Sequence, residues 1–322
     1  MSNSVSRRGF LQTASVTGAA ALGAGATTIS APLKATAAEN YAYQGGISPW
    51  PLSMNTSTIR PATLQDKIKV TAEAGWDAIE LWINDLEKYE EEGGNLKDLG
   101  KQIKDLGLYV PNVIGLWNSI PENQAEWDAS LEITRKRMRQ CADVGSQHVA
   151  SIPTPDRDNF DVKWGAERYR DLLRIGREDY GIVVAIEFIG FLKGLNKFGM
   201  ACSLAVDSDD PTACIIADTF HLWRGGSGFN GIQLLNEKIL ANFHWNDIGA
   251  DAKPEGTGDA SRILPGDGIL PLHQALRDLK AIGYKRTLSL ELFNEELWAK
   301  DPKEVSEVGL RKMREGVEKA LA

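Results

Sequence analysis

Four short, largely apolar runs in this chain each end on a residue able to hold a divalent cation. Cys214-Ile215-Ile216-Ala217 stops at Asp218 and Val183-Val184-Ala185-Ile186 at Glu187, while Leu240-Ala241-Asn242-Phe243 stops at His244 and Thr287-Leu288-Ser289-Leu290 at Glu291. Two Glu, one Asp and one His form a hard, oxygen-rich donor set with a single imidazole. The Asp218-Thr219-Phe220-His221 pair on its own is weak, because a loop-capping Asp beside an unrelated His reads equally well. Each residue also has a plainer account. Glu187 and Glu291 can be buried partners of Arg or Lys, and His244 can be a hydrogen-bonded core imidazole or a ring oriented by Asp247.

Such residues do chemistry together only if the fold brings their strand ends to one place. A recurring pattern of amphipathic helix, Gly and apolar strand runs through the chain, with the Gly at positions 75, 107, 145, 181 and 283. Gly just past a helix end accepts the left-handed backbone that closes the helix and redirects the chain. The glycines lie 32, 38, 36 and 102 residues apart, and the last gap holds three units, including the strands that end at Asp218 and His244. Stripes such as Trp127, Leu131, Met138 and Cys141, or Leu310, Met313, Val317 and Leu321, mark core-facing helix sides. With an opening strand near Gly46-Ile47-Ser48, the count is eight strands, each followed by a helix. That alternation predicts a parallel sheet closed into a single-domain (β/α)8 TIM barrel. An open doubly wound sheet is the alternative, but no Gly-rich phosphate loop follows the first strand. In a barrel the C-terminal strand ends share one rim, where Glu187, Asp218, His244 and Glu291 would meet.

The first 37 residues read as an address rather than as part of the barrel. Ser6-Arg7-Arg8-Gly9-Phe10-Leu11-Gln12 is a twin-arginine signature, and Ala35-Thr36-Ala37 is a small-residue cleavage pattern. Residues 38–322 then form the barrel domain, exported folded by the twin-arginine (Tat) machinery to the periplasm or beyond. The chain of 322 residues carries a net charge of −8. The leader holds Arg7, Arg8 and Lys34 and no acid, so the remainder stands near −11. A surface this acidic excludes a nucleic-acid backbone as the main partner. Cys141, Cys202 and Cys214 form no C-x-x-C pair and read as buried thiols, with pairing of Cys202 left open.

These motifs together resemble the xylose isomerase-like barrel superfamily, within it the sugar isomerase and epimerase group that includes ketose 3-epimerases and inosose isomerases or dehydratases. The resemblance covers roughly residues 45–321. It is carried by Ala185-Ile186-Glu187-Phe188, Asp218-Thr219-Phe220-His221, His244-Trp245-Asn246-Asp247, Arg262-Ile263-Leu264-Pro265-Gly266-Asp267-Gly268 and Leu290-Glu291-Leu292-Phe293-Asn294. It implies that Glu187, Asp218, His244 and Glu291 bind one divalent metal ion, Mn, Mg, Co or Zn, and that His221 and Arg262 hold substrate oxygens. Glu187 and Glu291 come from well-separated strands and can face opposite sides of a substrate. One would take a proton beside a carbonyl and the other return it, through a metal-bound enediolate.

The activity expected is therefore an exported, metal-dependent sugar isomerase or epimerase. The alternatives are a dehydratase or a 3-keto-glycoside lyase or hydrolase using the same enolisation, and a non-catalytic sugar-binding barrel. Partners are a small sugar, keto-sugar or glycoside, and a homo-oligomer is left open. The nuclease branch of the superfamily, endonuclease IV, gathers many histidines around three zinc ions, whereas this chain has four histidines in all and the wrong charge for DNA. After Glu187 the chain reads Phe188-Ile189-Gly190-Phe191-Leu192-Lys193, without the second Glu that some ketose 3-epimerases use. That departure weighs against free ketohexoses in particular. Glu80 and Lys193 read as rim or packing residues. Trp50, Trp82, Trp117 and Trp223 near strand ends read either as a wall for a sugar ring or aglycone, or as packing beneath loops.

Overall fold

Parallel strands close on one another in the computed structural model, which describes residues 40–152 and 156–322. The twin-arginine signature and cleavage pattern expected within residues 1–37 lie outside the described residues. The barrel strands are β1 (Leu52–Asn55), β2 (Ala78–Trp82), β3 (Asn112–Trp117), β4 (His148–Ile152), β5 (Val183–Glu187), β6 (Cys214–Asp218) and β7 (Leu240–His244). A two-residue antiparallel ribbon, β8 (Asp247–Ile248) with β9 (Arg262–Ile263), stands on the rim before the last barrel strand, β10 (Leu288–Leu290). Strand β10 pairs with β7 on one side and with β1 on the other, where Leu52 faces Leu288 and Met54 faces Leu290, so the sheet has no free edge. The expected (β/α)8 barrel is thus the fold found.

The glycine punctuation follows the same logic. Gly75 ends the helix Leu64–Ala74 at φ +89°, and Gly181 turns the chain into β5 at φ +71°. An L-residue is strained at such values. The helical stripes face the core as their spacing predicts: Trp127, Met138 and Cys141 are buried on the helix Gln124–Asp143, and Leu310, Met313 and Val317 on Pro302–Leu321. All three cysteines are free thiols, so none pairs with another.

The opening strand departs from its expected place. Residues Gln44–Gly46 form a 3-10 turn, with Gly45 at φ +66° and Gly46 at φ +95°, and the strand begins six residues further on at Leu52. Strand β1 reads Leu-Ser-Met-Asn, and its buried Ser53 and Asn55 hide it from a search for apolar runs. Trp50 consequently lies below the barrel, its Nε1 donating to the Tyr284 carbonyl at 2.8 Å, far in the chain from any rim role.

The helix Pro302–Leu321 packs so closely that a Cβ on Gly316 would sit 2.5 Å from Cη2 of the fully buried Trp245. The Trp245 ring is rigid and enclosed, so it cannot swing aside. Gly316→Ala is expected to lower stability by about 1–3 kcal/mol through overpacking. Thermal unfolding followed by circular dichroism checks this, and an unchanged midpoint would show that the helix shifts freely.

Candidate metal centre and active-site pocket

Strands β5, β6 and β7 deliver Glu187, Asp218 and His244 as their last residues, and Glu291 follows β10 directly. One donor atom from each of these four buried side chains lies within 4.8 Å of the others. The focus is His244 Nδ1, which stands 3.0 Å from Glu187 Oε1, 3.1 Å from Glu291 Oε2 and 3.6 Å from Asp218 Oδ2. The four residues singled out by strand-end chemistry are therefore brought together.

Asp218, Glu291 and His244 are held from behind. Asp218 caps the short helix Thr219–Arg224, its Oδ1 accepting from the backbone N–H of Phe220 and His221, while Asn246 donates to both its oxygens. Arg262, projecting from the ribbon, donates through Nη1 to Asp218 Oδ2 and Glu291 Oε2, both at 2.7 Å, and through Nη2 to Asp259. Arg262 is 1% exposed. Arg262 thus ties its own loop through Asp259 while the same guanidinium enters the site. His221 accepts the Gly190 N–H on Nδ1 at 3.2 Å, and its Nε2 lies 3.1 Å from Arg262 Nη2. With Nδ1 accepting, the neutral ring carries its proton on Nε2, so the N–H groups of His221 and Arg262 converge beside the cavity.

Glu80 lies one layer deeper. It is fully buried beneath the rim with Oε1 3.0 Å from His244 Nε2, and Asn112, Asn242, Asn55 and Ser289 also donate to it. Glu80, not Asp247, therefore touches the far side of the His244 ring. Asp247 is spent on the ribbon and the loop beyond it, accepting the backbone N–H of Ile248, Gly266, Gly268 and Leu270. The signal that could have revealed this layer is positional. Side chains two apart on a strand share a face, so Asn242 had to point inward beneath His244, and Ser289 beneath Glu291.

The electrostatics follow from burial. Loss of water pushes the Glu187 carboxyl up to about 7; His244 opposes this, and Glu291 and Asp218 add to it. Burial also disfavours charge on Asp218, yet Arg262 and His221 hold it well below the usual carboxylate range. Burial opposes charge on His244 as well, but Glu291, Glu80 and Glu187 raise it well above an ordinary imidazole. Burial, with Arg262 beside it, lowers His221 to about 4. Despite burial, His244, Asn112 and Ser289 keep Glu80 below the ordinary value. Four enclosed carboxylates thus face one guanidinium and one imidazole. That surplus of negative charge, in a donor set of oxygens and one ring nitrogen, fits a divalent cation held by Glu187, Asp218, His244 and Glu291.

Above the charged floor lies a cavity of about 230 Å³, lined by Glu187, His221, Asp259, Arg262 and Glu291 below and by apolar side chains above. Trp82, Trp117 and Phe293 make one wall, with Trp82 centred 5.9 Å from Trp117 and 5.7 Å from Phe293. Of the four tryptophans considered, only Trp82 and Trp117 line this space. Trp223 packs on Phe220 at 5.9 Å. Lys193 is turned toward Asp158, 3.9 Å away, and does not line the cavity.

Comparison with known proteins agrees with this geometry. The family model described as xylose isomerase-like TIM barrel matches residues 68–316. Inosose isomerase of Bacillus licheniformis is 24% identical over 252 residues, 75% of this chain and 88% of the relative. A 3-dehydroshikimate dehydratase of Pseudomonas putida is 22% identical over 268 residues, 78% of this chain but 39% of that longer protein. Among solved structures, the IOLI protein with a bound zinc atom superposes with a TM-score of 0.77 at 21% identity, covering 84% of this chain and 98% of that one.

Cation binding at this centre must displace protons. The Glu187 proton leaves only as pH rises through about 7, and the His244 proton is held higher still. Affinity for Zn(II) or Mn(II) should therefore increase by at least about tenfold per pH unit between pH 5 and 7. Calorimetric titration in buffers of differing ionisation heat measures both affinity and protons released. A pH-independent affinity would contradict the ligand set.

Proposed function

The chain belongs to the xylose isomerase-like TIM barrel family, and from that premise we propose that it is a divalent-metal-dependent sugar isomerase or epimerase that moves a proton at a carbon beside a carbonyl. The observation that carries the reading is the convergence of three carboxylates on His244 Nδ1 at the floor of an aromatic-walled cavity. The inosose isomerase relative and the zinc-bearing neighbour support the same chemistry and metal class.

The protein's own groups divide the work. Trp82, Trp117 and Phe293 offer flat apolar faces suited to the C–H side of a sugar or cyclitol ring. The Nε2–H of His221 and the Nη2–H of Arg262 can donate together to a substrate oxygen as negative charge grows on it. A bound divalent cation supplies Lewis acidity that makes the neighbouring carbon more acidic. Glu187, at the cavity floor with Oε1 3.0 Å from His244 Nδ1, is placed to accept and return a proton at the substrate carbon. Glu291 differs from it: Asn55 donates to its Oε1 at 3.1 Å and Arg262 to its Oε2 at 2.7 Å, which holds this carboxylate in one orientation. Glu291 serves as the second proton carrier on the opposite side of the substrate.

A second reading, elimination after the same proton loss, draws on the dehydratase relative and on the aromatic wall, which suits the aglycone of a 3-keto-glycoside. The chain's acidic balance and a cavity lining that holds no lysine among the described residues both favour an uncharged substrate over a sugar phosphate. Export is part of the proposal, carried by Ser6-Arg7-Arg8-Gly9-Phe10-Leu11-Gln12.

Incubation in heavy water with inososes, ketoses and 3-keto-glycosides should place deuterium beside the substrate carbonyl. A chelator should abolish exchange, and Glu187→Gln should slow it by about 10²–10⁴-fold. Product analysis separates epimer from elimination product. Exchange that survives both treatments would contradict the proposal. For export, replacement of Arg7 and Arg8 by Lys should retain the protein in the cytoplasm on cell fractionation, and unchanged release to the periplasm would exclude the twin-arginine route.

A further inference from the structure

Glu80 does not line the cavity, yet both of its oxygens are fully engaged. Oε1 receives Asn112 Nδ2 at 2.7 Å and Asn242 Nδ2 at 2.8 Å and lies 3.0 Å from His244 Nε2. Oε2 receives Ser289 Oγ at 2.5 Å and Asn55 Nδ2 at 2.9 Å. Asn55 cannot reverse its amide, because its Oδ1 already accepts from the Ser57 N–H and from Trp82 Nε1. Every group facing Glu80 can therefore present a hydrogen to it, from strands β1, β3, β7 and β10. A simple buried ion pair would not need this surrounding shell of amides.

We infer that Glu80 is the positioning residue of the metal centre, fixing the His244 proton on Nε2 and turning the Nδ1 lone pair toward Glu187, Asp218 and Glu291. The inference rests on the divalent-cation reading and deepens it. A carboxylate behind a ligating imidazole sets the ring's tautomer and angle and makes its free nitrogen a stronger donor. Asn55 extends the arrangement, since one amide group donates to both Glu80 and Glu291 while its oxygen holds Trp82 of the cavity wall. The ring, one carboxylate ligand and the aromatic wall are thereby set by a single polar layer. A Gln at position 80 would keep the shape but direct an NH₂ against either Asn55 Nδ2 or the donors on the Oε1 side.

The test uses full-length protein labelled with ¹⁵N-histidine, which has four imidazoles to resolve. In the metal-free wild type, the His244 Nε2–H should exchange slowly with water, and on adding Zn(II) the Nδ1 resonance of the same ring should move while Nε2–H persists. In Glu80→Gln, checked for folding by circular dichroism, Nε2–H should become labile and Zn(II) affinity fall about 10–100-fold. The visible bands of the Co(II)-loaded variant should also shift, which a purely structural defect would not cause. A folded variant with wild-type affinity and Co(II) bands overturns the inference. So does a labile Nε2–H in the wild type, a result that needs no variant. If the wild type binds no cation, the proposed function fails, while Nε2–H protection still decides the role of Glu80.

Discussion

Carboxylates forced together in a dry interior repel one another, and the rest of this barrel is arranged around that repulsion. Glu187, Asp218 and Glu291 all reach His244 Nδ1 within 3.6 Å, and Glu80 faces the other side of the same ring. Such a group of like charges persists only where opposing charge and hydrogen-bond donors are fixed nearby. Arg262 supplies a permanent positive charge, the ribbon β8–β9 carries it inward, and Asp247 anchors the ribbon through four backbone amides. Closure of the sheet does the remainder by removing any edge along which the strand ends could drift apart.

The interior of the barrel divides accordingly. Glu80, Asn55, Asn112, Asn242 and Ser289 form a polar layer under the site. Ile114, Ala150, Ala185, Cys214, Ile216 and Ala241 form a separate apolar cluster inside the ring of strands. The first group hydrogen-bonds to His244 and Glu291 from below, whereas the second packs against Trp82 and Trp117 and so supports the cavity wall. Both groups belong to the barrel interior, Ala185 two residues before Glu187 and Ile216 two before Asp218 on the same strand faces, so polarity and apolarity sit side by side and need no second domain.

Much of this was legible from residue order. Apolar strands ending on Glu187, Asp218 and His244 were visible because a strand buried on both faces reads as a continuous run, and a ligand at its tip ends that run abruptly. Gly75, Gly107, Gly145, Gly181 and Gly283 marked the turns because each adopts positive φ. What escaped was the polar half of the interior. Ser53 and Asn55 broke the apolar pattern of β1, so the opening strand was expected six residues too early. Glu80 follows Ala78-Ile79 and is succeeded by Leu81-Trp82, a context that fits packing as well as function until its five partners are in view. Asp247 follows His244 closely in the chain, but β8 turns it toward the loop at Gly266 and Gly268. Side-chain direction over three residues is set by the ribbon, which no local pattern announces.

The central claim is that one divalent cation sits among Glu187, Asp218, His244 and Glu291. Anomalous diffraction from crystals grown with Mn(II), collected at an energy where manganese scatters strongly, tests it most directly. The account predicts a single strong peak bonded to His244 Nδ1 and to an oxygen of each carboxylate. No peak at saturating Mn(II), or a peak outside these four residues, would contradict it.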